Sequence, residues 1–131
     1  MNQQNKKEEL KLEITRLSQI INAPEFLIPT FDFSKDFAYP HIEMQGEEYH
    51  FVVVERGQEL ERRRTFNIDE ILFWIFDGIT FEMACELELR NRKENEDFRI
   101  QLFQIQENLM YKINPKFSEI LNIKHSKLLN K

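Results

Sequence analysis

Only one cysteine, three glycines and four prolines occur among the 131 residues. No apolar run approaches the roughly 20 residues that a membrane-spanning helix requires. Each scarcity excludes something. A lone Cys85 cannot close an internal disulfide or supply a paired-cysteine zinc site. Few glycines, prolines and serines argue against long linkers, collagen-like repeats and disorder. The sequence contains no Gly-rich phosphate loop, no His-Glu-x-x-His and no Gly-x-Ser-x-Gly. The beginning, MNQQNKKEELKLE, is polar and lacks the apolar core of a secretory signal, so the expected location is the cytoplasm.

What is abundant is phenylalanine, with twelve copies, and charge, at 31% of residues. A chain this long fits a single domain spanning 1–131, with an N-terminal helix over 1–22, a β-meander over 41–66 and a helical part over 67–131. Folding at this size buries roughly two-thirds of the surface of the unfolded chain, enough for one core.

Net charge is -5, and its distribution is uneven: -4 over 1–48, +1 over 49–66, -5 over 67–99 and +3 over 100–131. An acidic middle disfavours nucleic acid as partner, since phosphate binders concentrate cations to release counterions. It suits a basic protein, although mild acidity also serves plain solubility.

Leu10, Ile14, Leu17, Ile20 and Ile21 recur at helical spacing, predicting an amphipathic helix that stops near Pro24. Residues 24–40 mix three prolines with Phe26, Phe31, Phe33 and Phe37 and read as an irregular connection pinned by those rings. Alternation from His41 predicts three antiparallel strands, turning at Gly46-Glu47-Glu48 and Arg56-Gly57. Asn67 with Glu70 suggests a capping pair opening a helix whose run Ile71 to Phe76 is hydrophobic all round. Gly78 either kinks that helix or ends it, with Thr80 then capping the next. Further helices are expected from about Asp97 to Ile113 and after Pro115. The fold class is therefore α+β.

The chemistry-bearing candidates form one charged constellation. Glu55, Arg56, Glu59, Arg62, Arg63 and Arg64 follow directly on a strand of valines, while Glu86 and Arg92 lie on the long helix. Glu86 with Arg90 and Glu88 with Arg92 are four apart, the spacing of helical ion pairs. Glu55 and Glu59 are expected to flank the tight turn, face the Glu86 helix and meet its arginines. Such a cluster is open to three readings: a structural network, a partner-binding surface, or an enzyme using Glu55, Glu59 and Glu86 with an arginine clamp. Cys85 reads as a small core residue, since His41, His50 and His125 stand in no recognisable catalytic arrangement with it.

The stretches INAPEFLIPTFDFSKDFAYPHIE, YHFVVVERGQELERRRT and DEILFWIFDGITFEMACELELRNR, followed by DFR and LFQIQ, resemble the Immunity protein 63 family of bacterial polymorphic-toxin systems. The resemblance runs from about Ile21 to Phe117. It departs where that family has tryptophan in place of Phe117, and where Ile100 replaces a second arginine after Arg99. It implies a small cytosolic protein that binds and blocks a cognate toxin, without catalysis of its own; from the residues, no cofactor, metal, nucleic acid or membrane is expected as partner.

Overall fold

The computed structural model describes residues 3–36 and 39–130. Helix α1 spans Gln3–Ile20 and buries Leu10, Ile14 and Leu17, with Ile21 following them inside. Its end is set before Pro24. Asn22 takes a left-handed φ of 53°, the Ala23 amide reaches Ser18 O at 2.9 Å and the Asn22 amide reaches Gln19 O, the paired bonds of a Schellman stop.

The connection that follows is more structured than its prolines suggest. After a 3-10 turn at Glu25–Leu27, strand β1 (Thr30–Phe31) pairs in parallel with β2 (Pro40–Gln45). Strands β3 (Glu48–Glu55) and β4 (Gln58–Thr65) complete an ordered sheet β1-β2-β3-β4. The expected three-stranded meander is thus part of a four-stranded mixed sheet. Leu27, Ile28 and Phe31 pack on the core, whereas Phe26 and Phe33 are mostly exposed. The pinning assigned to all the phenylalanines therefore falls to Phe31; Phe37 lies outside the described residues.

Strand alternation sorts the sheet into two faces. Ile42, Met44, Tyr49 and Phe51 point inward and meet α1 together with Ile71, Leu72, Ile75, Phe76 and Ile79 of helix α2 (Ile68–Arg90). Asn67 caps α2 by accepting from the Asp69 and Glu70 amides at 2.8 and 3.2 Å. The reciprocal half of the capping pair is absent: the Asn67 amide donates to Thr65 Oγ1 instead. Phe73 and Trp74 remain partly exposed, so only one face of the Ile71 to Phe76 run is fully buried.

Gly78 does not end the helix. Thr80 is no cap either; its hydroxyl donates back to Phe76 O at 2.6 Å, inside a continuous α2. Helix α3 (Phe98–Ile113) starts on Asp97, and α4 (Pro115–Leu128) starts on Asn114 with Pro115 in its first turn. Phe117 and Leu121 join the main core, while Ala84, Leu102 and Phe103 form a smaller cluster with Cys85 against them. Burial raises the Cys85 thiol above its ordinary value, the environment of an unreactive packing residue.

Candidate partner-binding site

The outer face of the sheet is built from the residues that the same alternation turns away from the helices. His41, Val52 and Arg62 stand side by side across β2, β3 and β4. Arg62 is the hub. Its Nη1 donates to Glu43 Oε1 at 3.2 Å and to His50 Nδ1 at 2.7 Å, while Nε and Nη2 hold both oxygens of Glu59. Glu43 also receives His41 Nε2 at 2.7 Å, and His50 Nε2 meets Glu48 Oε1 at 2.9 Å. Val52, cross-strand neighbour of His41 and Arg62, is fully buried within this face.

The electrostatics follow from those bonds. The His41 hydrogen bond, and then Arg62, hold the Glu43 carboxyl below the usual carboxylate range against an opposing desolvation. Hydrogen bonds from Arg62 do the same for Glu59, and the two carboxylates push the Arg62 guanidinium further above its already high value. Every carboxylate named in the network has a partner, while His41 Nδ1, buried on the same face, has no hydrogen-bond partner among the described residues.

The predicted constellation is therefore partly assembled and partly dispersed. Glu59 and Arg62 sit together as expected. Glu59, however, lies on the outer face, whereas α2 packs on the inner one, so the expected meeting of Glu55 and Glu59 with the arginines beside Glu86 does not occur. Glu86 pairs with Arg90 on its own helix at 2.5 Å, and Arg92 holds Glu88 at 2.8 and 2.9 Å. Those bonds lower the carboxyl of Glu88, which is buried near the end of α2. Glu55 and Arg56 are exposed at the hairpin tip, where Arg56 and Gly57 both take positive φ, 54° and 75°, as a two-residue primed turn demands. Leu60 is skipped in the pairing of β3 with β4, a bulge that blunts the free edge. Arg64 is exposed on the same edge strand.

Arg63 belongs to the opposite face from its neighbours. Its guanidinium lies 4.5 Å from the Phe51 ring centre and 5.0 Å from that of Trp74. Its Nε stands 3.0 Å from Glu61 Oε2, close enough for Coulomb attraction but out of line for a hydrogen bond. On one side of Arg63 opens a hollow of about 610 Å³ reaching Phe26, Glu61, Gly78 and Glu82. On the other side a smaller one, about 240 Å³, reaches Trp74, Phe81 and Lys124. Phe51, Arg63 and Gly78 line both.

Sequence reasoning passed over Glu43, Glu48, His41 and His50 as network members. Their two-residue spacings, His41 with Glu43 and Glu48 with His50, carried the signal, because residues i and i+2 of a strand share a face. Among the described residues no group of three or more His, Cys, Asp or Glu side chains is placed to hold a metal ion. No described helix is long and apolar enough to cross a membrane.

An α+β scaffold carrying an Arg62-centred polar network on one face of its sheet and an aromatic, arginine-centred pair of hollows on the other defines a protein whose distinctive chemistry lies on its exterior. The family model for Immunity protein 63 matches residues 45–127, from the end of β2 through most of α4, and the chain belongs to that family. No curated protein and no solved structure matches it.

Proposed function

We propose that this chain is an immunity protein that binds a cognate toxin in a stoichiometric complex in the cytoplasm and neutralises it by covering its active site, without catalysis of its own. Membership of the Immunity protein 63 family carries this reading. Two features of the molecule support it. The acidic net charge of -5 favours encounter with a basic partner. The Arg62 network, with each carboxylate already held, presents a stiff exterior whose ordering cost is met during folding rather than on association. Glu59, Arg62 and Arg64 on the edge strand are assigned to this surface, with Glu55 and Arg56 at its tip; Arg63 faces Phe51 and Trp74 on the other side of the sheet, Glu86 pairs within α2, and Arg92, just past its end, holds Glu88.

Co-expression with the toxin encoded beside this gene tests the reading. Cells are expected to survive only when the chain is present, and the two proteins should co-purify as a complex of fixed ratio. A toxin that kills equally well in its presence overturns the proposal.

A further inference from the structure

Gly78 is a glycine that the fold does not call for. It lies inside α2, where glycine is the least favourable residue after proline. Its φ is not in the left-handed region, and apart from its own stretch of helix no described atom lies within 4 Å of the place a Cβ would occupy. An alanine would fit and would strengthen the helix. A glycine on an exposed helix face is the residue that lets another backbone come close.

What surrounds Gly78 indicates what comes close. It lines both hollows, together with Phe51 and Arg63. An arginine on aromatic rings, flanked by further exposed rings, is the composition of interface centres rather than of ordinary surface. Phe26 and Phe81, one in each hollow, are both exposed. The larger hollow carries carboxylates on two walls, Glu61 from β4 and Glu82 from α2, one turn beyond Gly78. Glu82 has no hydrogen-bond or ion-pair partner among the described residues, and Glu61 meets Arg63 only out of line.

We infer that the toxin's main chain crosses α2 at Gly78 and inserts one lysine or arginine side chain into the larger hollow. The aliphatic stem of that side chain packs on the exposed Phe26 ring, and its cationic head lies between Glu61 and Glu82. The inference rests on the proposed function and adds to it a contact point on the α2 side of the sheet, opposite the Arg62 network, and the chemistry of the inserted group.

Calorimetric titration with the toxin domain whose killing this chain suppresses tests it, using Gly78→Ala, Glu82→Lys and, as a control with the same charge change on exposed α4 surface, Glu119→Lys. Gly78→Ala should raise the melting temperature by roughly 4 °C yet weaken binding at least about tenfold. Glu82→Lys should also weaken binding at least about tenfold, and Glu119→Lys less than about threefold. Since Glu82 is an exposed surface position, its variant keeps the test decisive if the glycine variant folds poorly. Wild-type affinity in both Gly78→Ala and Glu82→Lys overturns the inference and leaves the proposed function standing. A wild-type chain that binds no toxin removes both.

Discussion

Arg62 Nη1 donates to Nδ1 of His50 at 2.7 Å across the outer face of the sheet. A guanidinium has no lone pair to offer, so Nδ1 is the acceptor and the imidazole proton resides on Nε2. From there it donates to Glu48 Oε1 at 2.9 Å. One arginine thus sets the tautomer of a histidine on the neighbouring strand while holding two carboxylates.

That arrangement predicts an Nε2–H tautomer for His50 in nitrogen-15 spectra of the imidazole. Arg62→Met keeps a stem over Val52 and removes only the donors, so the loss measured is polar. Chemical denaturation should show a decrease of about 2 kcal/mol, in the range for hydrogen bonds to charged groups. A variant as stable as wild type would mean that the network contributes no net stability.

Acid should unfold the protein through the same groups. Glu43 and Glu59 have folded values below those of the unfolded chain, where a glutamate titrates near about 4.3. Their stabilisation is complete above the unfolded value and is lost as pH falls through the folded one. The melting temperature should therefore drop as pH falls below about 5. Arg62→Met should make this acid limb shallower, because both carboxylates lose the guanidinium. Parallel limbs for the two proteins would contradict the assignment.

Gln106 is the polar tie between α2 and α3. Its Nε2 donates to Asp77 O and Oδ1, both at 3.0 Å, and to Thr80 Oγ1 at 3.1 Å, and the side chain is almost completely buried. Gln106→Leu keeps the volume and removes the amide, which should cost about 1.5 kcal/mol. Amide exchange should rise in α3 well before global unfolding. Unchanged protection there would show that apolar packing alone holds the helix.

The elements with long periodic patterns were legible from residues alone. Helix α1 showed itself in the spacing of Leu10, Ile14 and Leu17, and the meander in its alternation and in Gly46 and Gly57, because local geometry repeats every 3.6 or every two residues. Strand β1 was not legible, since two residues after Pro29 show no alternation and its partner lies about ten residues on. The path of α2 through Gly78 was equally hidden: a single glycine lowers helix stability by only about 1 kcal/mol, which core contacts on both sides override.

The amino-acid order by itself determined the long helices, the alternation of the meander and the pairing of Glu86 and Glu88 with arginines four residues on, since those depend on neighbours in the chain. Tertiary structure alone decided that Arg62 turns outward to His50 and Glu43 while Arg63 turns inward to Phe51 and Trp74, and that Glu59 and Glu86 stand on opposite sides of the sheet. The physical reason is the two-residue period of a strand together with the bulge at Leu60. Which side chains become neighbours across strands depends on register, and register is set only once the whole sheet packs against its helices.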